Sequence, residues 1–149
     1  MDGDFELTES RAIMRYLASK KPESGLLPRD ERARADVARW QFWDASHFSP
    51  KLGTLAFEKL LKAIIGMGEP DQRTVDDALT SFRRFGAALN KRVDGKKYVV
   101  GDALTIADLT IASSLMHAKQ TDVPLGEFPS LQAWFSRISD TNARKKTNP

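Results

Sequence analysis

Residues 104–109, Leu104-Thr105-Ile106-Ala107-Asp108-Leu109, read as the start of a helix. Thr105 can cap it by accepting a hydrogen bond from the backbone N–H three residues on, while Asp108 can reach back to the N–H of Thr105. This is a capping box with Asp where Glu or Gln is usual. Leu104 and Leu109 have the spacing of a hydrophobic staple. Beyond the box, Ile106, Leu109, Ile111, Ala112, Leu115 and Met116 leave the helix apolar nearly all round. Such a helix must be enclosed by others, so the pattern predicts the central element of a helical fold.

The flanking sequence supplies the enclosing helices. Upstream, Val75, Leu79, Phe82, Leu89 and Val93 form an amphipathic stripe that stops at Asp94-Gly95, a C-terminal signal. Downstream, Pro129-Ser130 starts a last helix with Leu131, Trp134, Phe135 and Ile138 as its stripe. Earlier still, residues 29–65 read as one long helical segment. Val37, Trp40 and Asp44 share one face of it, and Trp43, His47 and the neighbouring Phe48 lie on an adjoining one. Leu52, Leu55, Ala56, Leu60 and Ile64 continue the apolar stripe, with Pro50 and Gly53 expected to bend or interrupt it. Gly66-Met67-Gly68-Glu69-Pro70-Asp71 closes this segment and opens the next. No strand pattern of any strength follows Arg29, which predicts an all-α unit of about five helices.

The start of the chain reads differently. Asp2-Gly3 is a hairpin signal, Phe5-Glu6-Leu7 alternates as a half-buried strand would, and Thr8 stands as an N-cap. The helix that follows carries Ile13, Tyr16 and Leu17 on one face. A strand needs a partner, so residues 1–21 read as a strand-helix remnant of a larger α/β unit. Residues 22–28, within a stretch punctuated by Pro22, Gly25 and Pro28, read as a linker. Residues 29–149 then form the all-α domain, and the fold class is mainly α.

Composition narrows the function. The 149 residues suffice for a sizeable core, and 41% hydrophobic with 29% charged residues is a globular balance. Net charge is +3, with acids and bases interleaved through residues 29–36, which argues against a nucleic-acid stripe. The Arg144-Lys145-Lys146 cluster reads as a solvated tail. The absence of cysteine removes disulfides, thiolate metal sites and a cysteine nucleophile from these residues. No apolar run approaches the roughly 20 residues of a membrane span, and a cytoplasmic location is the expectation. The two histidines, His47 and His117, have no neighbours at metal-ligand spacing, so no metal site is read. One constellation does suggest a ligand. Thr8-Glu9-Ser10 opens a helix whose free N–H groups and positive dipole end favour a carboxylate. Ser10 adds a hydroxyl donor and Glu9 can pair with an ammonium, which suits the α-amino-acid end of a small molecule.

Two motifs together carry a resemblance. Leu7-Thr8-Glu9-Ser10-Arg11-Ala12-Ile13 through Tyr16-Leu17 resembles the end of the thioredoxin-like domain of cytosolic glutathione transferases. Val100-Gly101-Asp102-Ala103-Leu104-Thr105-Ile106-Ala107-Asp108 resembles the signature of the same family's helical domain. Ser46-His47-Phe48-Ser49-Pro50 and Leu55-Ala56-Phe57-Glu58 look most like the phi class and related bacterial enzymes. The resemblance implies that Glu9 and Ser10 hold the γ-glutamyl end of glutathione, which is a co-substrate and not a cofactor. It also implies a structural role for the Thr105–Asp108 box. A hydrophobic electrophile would sit against Trp43, His47 and Phe48, with Met116 and His117 at the edge of the set. The resemblance implies that in the complete enzyme glutathione thiolate would attack an electrophilic carbon or peroxide in a detoxification reaction needing no metal, and that the complete enzyme would be a homodimer, as is usual in the family.

The resemblance further implies that the thiol-activating hydroxyl or cysteine belongs to a front part of the family's fold that has no counterpart here. The chain is therefore expected to be a truncated, inactive piece with no catalytic residue of its own. Neither nucleic acid nor membrane is an expected partner. The alternative is a non-catalytic glutathione-transferase-like module for protein–protein association.

Overall fold

The computed structural model describes residues 2–141, so the Arg144-Lys145-Lys146 cluster lies outside the described residues. Helices dominate: α1 (Ser10–Lys20), α2 (Glu31–Trp43), α3 (Ser49–Ala56), α4 (Lys62–Ile64), α5 (Gln72–Val93), α6 (Ile106–Ser114) and α7 (Pro129–Ser139). Each long start has a local cause. Asp30 caps α2 by accepting from the Ala33 N–H at 2.9 Å, and Asp71 caps α5 by accepting from the Thr74 N–H at 3.0 Å. Gly95, at φ 65°, takes the left-handed conformation just beyond the end of α5.

Helices α2, α3 and α4 are one continuous helix, and Pro50 and Gly53 do not interrupt it. The helix instead widens twice, into π turns at Asp44–Phe48 and Phe57–Leu61. At the first, the Ser49 N–H reaches the Asp44 carbonyl five residues back; at the second, the Lys62 N–H reaches Phe57. A proline inside a helix removes one N–H donor and crowds the carbonyl four residues back. The wider turn immediately ahead of Pro50 opens the space its ring takes, so the helix runs on.

The central helix is α6, packed against α1, α2, α3 and α7. Ile106, Ala107, Ile111 and Ala112 are all buried in one core with Val37, Phe48, Leu55, Phe82, Leu89 and Trp134. Thr105 and Asp108 close the capping box, with the Thr105 N–H donating to Asp108 Oδ2 at 3.0 Å. The other oxygen of Asp108 accepts from the Val99 N–H at 2.8 Å and from Trp134 Nε1 at 3.0 Å. One fully buried carboxylate thus ties the helix start, the preceding loop and α7 together. Each of its donors satisfies a charge that would otherwise be costly to bury.

The N-terminal segment departs from the strand reading. Phe5-Glu6-Leu7 forms no strand; Asp2 and Phe5 make one isolated antiparallel bridge, with both backbone hydrogen bonds at 3.2 Å. Alternation marks a segment able to join a sheet, but a ladder exists only when a second segment lies alongside. Helix α1 begins one residue later than a Thr8 cap would place it. Glu9 is the N-cap, at φ 68°, and no side chain caps the first turn. The helix docks on the bundle, burying Ala18, and Leu26 of the following segment accepts from the Ile106 N–H at 2.9 Å.

Candidate functional site

The exposed end of α1 presents Glu9 and Ser10 to solvent, whereas Arg11 turns inward. Glu9 holds a left-handed backbone, uncommon outside glycine, and its carbonyl accepts the Ile13 N–H at 2.9 Å. The Arg11 guanidinium pairs with Asp44, the first residue of the first π turn. Asp44 is wholly buried, and its second oxygen accepts from Ser114 Oγ at 2.9 Å. Burial pushes the Asp44 carboxyl above its ordinary value of 3.8, while the Arg11 and Ser114 hydrogen bonds and the charge of Arg11 oppose that rise. The start of α1 is thereby fixed to the long helix and to the end of α6 by one carboxylate.

Arg11 and Ser114 are absent from the residues the sequence singled out, and Asp44 appears there only as a member of a helix face. A signal for Asp44 was nonetheless present, because it shares that face with Val37 and Trp40, and both are buried. A carboxylate on a buried stripe requires a cation or donors from another element. Nearby, Gln41 donates to Thr110 Oγ1 at 3.2 Å, and Thr110 in turn donates to the Ile106 carbonyl at 2.7 Å. These buried side chains link α2 to α6 one turn before Asp44.

The structure divides the hydrophobic candidates into two places. Trp43 stacks on Phe48 with ring centroids 5.2 Å apart, and both lean on α5, Trp43 through Phe85 and Phe48 through Phe82. His47, exposed, stacks on Phe85 at 5.4 Å. Phe48 is fully buried, so it offers a ligand no surface in this arrangement. Met116 is 52% exposed just past α6, and it shares with His117 a cleft of about 130 Å³. Ser49, Gly53 and Ala56 of α3 form the opposite wall, and Ser114 lines the cleft as well. The cleft therefore touches the Asp44 link, whereas the aromatic trio faces away toward α5. A larger hollow of about 270 Å³ lies between α1 and α6, walled by Met14, Leu17, Ala18 and Ile106, and is almost entirely apolar.

Among the described residues no three histidine, aspartate or glutamate side chains could hold a metal ion. No helix among them is long and apolar enough to cross a membrane.

Known proteins are similar to this chain in sequence and in arrangement. Residues 34–142 match the family described as glutathione S-transferase, C-terminal domain. Glutathione S-transferase 1 of Zea mays is 33% identical over 151 residues, covering 97% of this chain and 68% of the relative. A glutathione S-transferase-like protein of Fusarium, LUC7, is 37% identical over 94% of this chain and 64% of its own length. Among solved structures, glutathione S-transferase III in its apo form superposes with a TM-score of 0.88 at 32% identity. That match covers 99% of this chain and 69% of the solved one. Glutathione transferase F7 from Populus trichocarpa superposes with a TM-score of 0.83 at 27% identity, over 98% of this chain and 70% of the solved one. The chain spans about two thirds of the length of such relatives. By its matching helical domain and by relatives aligned over nearly its whole length, the chain belongs to the glutathione S-transferase family.

Proposed function

We propose that this chain contributes half of a glutathione site and the wall of an electrophile site to a glutathione transferase. Glu9 and Ser10 take the γ-glutamyl end, Glu9 facing the ammonium and Ser10 with the first N–H groups of α1 facing the carboxylate. The observation that carries the reading is the exposed Glu9–Ser10 pair at a helix start whose next residue, Arg11, is fixed to buried Asp44. A ligand site built on so short a segment needs such an anchor, since ordering it on binding would cost affinity. Relatives add support: a glutathione S-transferase-I solved with lactoylglutathione superposes with a TM-score of 0.87 at 32% identity, over 98% of this chain and 70% of the solved one.

The electrophile would lie against the helical bundle. Of the candidate set, Met116 has the open cleft beside it, while Trp43, His47 and Phe48 line the α5 side and shape the bundle behind. No residue of this chain is given the thiol-activating role. Conjugation or reduction by glutathione thiolate, a homodimeric assembly and a cytoplasmic setting belong to the proposal as features of the family.

Calorimetric titration with glutathione tests the reading. The chain should bind in the millimolar range or tighter, and Ser10→Ala should weaken binding by about tenfold, the size of one lost charge-assisted hydrogen bond. No heat of binding at tens of millimolar glutathione would sink it.

A further inference from the structure

The basic side chains of this protein divide into two kinds. Arg39, Arg83 and Arg92 each meet a carboxylate. Lys96, Lys97 and Arg137 have no carboxylate partner among the described residues. All three line one cleft of about 230 Å³ between the end of α5 and the side of α7.

Local structure builds both walls. Val93 to Lys96 is a type II turn, with Asp94 at φ −61°, ψ 125° and Gly95 at φ 65°, closed by the Lys96 N–H donating to the Val93 carbonyl at 3.0 Å. The turn sets Lys96 and Lys97 on one wall, just past the last residue of α5. On the other wall Ser130, Ala133 and Arg137 recur at helical spacing along one face of α7. Arg137 joins the two, donating through Nη1 to the Lys97 carbonyl at 2.9 Å. A carbonyl fixes the guanidinium without neutralising it, and the rest of its planar fork stays free for an oxyanion. Asp94 does not line the cleft; its carboxylate accepts from Ser130 Oγ at 2.8 Å.

We propose that this cleft is a binding site for a diphosphate group. Like charges gathered in one hollow repel each other, and a bound anion removes that repulsion. Charge selects among anions. A single phosphoryl group carries about −1.5 to −2 near pH 7, whereas a linked pair carries about −3 and matches the three cations. Size agrees, since the cleft equals roughly eight waters at about 30 Å³ each. Among the described residues no aromatic side chain lines it, so none is there to stack on a nucleobase. The chemistry recognised is the diphosphate itself, whether inorganic pyrophosphate or the tail of a nucleotide. None of the lining residues takes part in the glutathione reading, so the two stand or fall separately.

Titrations of the whole chain test the site, followed by calorimetry and by backbone amide resonances. Inorganic pyrophosphate should shift the Lys96, Lys97 and Ala133 amides and bind at least about tenfold more tightly than orthophosphate. Arg137→Gln should weaken pyrophosphate binding by about tenfold, the size of one lost charge-assisted hydrogen bond, and Lys96→Gln by a few-fold. Both side chains are exposed, so both variants should melt as the wild type does. Lys51→Gln removes the same charge from α3 and should leave pyrophosphate binding unchanged.

ADP separates the two sources while keeping the site. Affinity equal to that of pyrophosphate means that the free diphosphate suffices; tighter binding means that a nucleotide carries it. Orthophosphate binding as tightly as pyrophosphate, equal losses from Lys51→Gln and Arg137→Gln, or no binding of pyrophosphate at millimolar concentration would each overturn the assignment.

Discussion

The long helix widens into a π turn at two places, and each turn holds a buried carboxylate, yet the two carboxylates do different work. Asp44 opens the first turn and points away from its own helix, to Arg11 on α1 and Ser114 on α6. Glu58, in the second, accepts from Lys62 Nζ at 2.7 Å and from the Asp71 N–H at 2.8 Å, so its partners are four and thirteen residues away. Burial dominates at Asp44 and pushes its pKa up. At Glu58 the Lys62 ammonium dominates, with the Asp71 N–H next, and the pKa is held down. A π turn displaces side chains from the regular helical register, and such turns cluster at functional sites. Here the same distortion serves twice: Glu58 clips the helix to the loop before α5, while Asp44 holds the exposed start of α1 at an electrostatic cost.

The comparison breaks first at Asp44. Asp44→Ala should destabilise the chain by about 3 kcal/mol, because the guanidinium of Arg11 then lies partly buried without its partner. It should also weaken glutathione binding by about tenfold or more, since Glu9 and Ser10 precede the freed residue. Denaturant unfolding and calorimetric titration of one variant measure both. A loss of stability with unchanged glutathione affinity would show that Asp44 is a clip like Glu58.

How much of this was legible depended on how local each cause is. The capping box, the Asp71 start and the Asp94-Gly95 stop are written within four residues, and the helical architecture follows from them and the apolar stripes. Asp44 was visible as a polar residue on the Val37–Trp40 face, but its partners sit 33 and 70 residues away, beyond the reach of any periodicity. The breaks expected at Pro50 and Gly53 came from residue propensity. The fold absorbs both: the turn ahead of Pro50 is widened, and Gly53 sits in ordinary helix, where glycine lowers propensity without breaking the hydrogen-bond ladder. The Phe5-Glu6-Leu7 alternation was a true pattern, but pairing is not a property of one segment. The electrophile candidates illustrate the same limit, because helical spacing groups Trp43, His47 and Phe48 but cannot reveal that all three rings pack against Phe82 and Phe85 of α5. Only the three-dimensional arrangement sets Met116 beside Gly53.

Glu58→Gln gives the next largest effect. It removes the charge that holds Lys62 and weakens the bond to the Asp71 N–H, so Tm should fall, though by less than for Asp44→Ala. Glutathione affinity should not change, because none of the partners of Glu58 touches α1. A drop in affinity would mean that the second π turn also positions the start of α1, and the contrast between the two turns would fail.

The smallest effect is the dependence of stability on pH, and it separates the two carboxylates by sign. A carboxyl with a raised folded-state pKa takes up a proton more readily when folded, so acid favours the fold through that group. The wild type should therefore gain stability relative to Asp44→Asn as pH falls from neutral toward the ordinary Asp value of 3.8. Glu58 behaves oppositely. Its contribution is complete above its ordinary 4.5 and is lost as pH falls through the lower folded value, so the wild type should lose stability relative to Glu58→Gln in that range. Urea unfolding of the three proteins from about pH 7 to pH 3 reads both slopes, and other titrating groups cancel in the differences. Slopes of the same sign would mean that Arg11, and not burial, governs Asp44; the link to α1 would then stabilise the fold outright, with no electrostatic cost to explain.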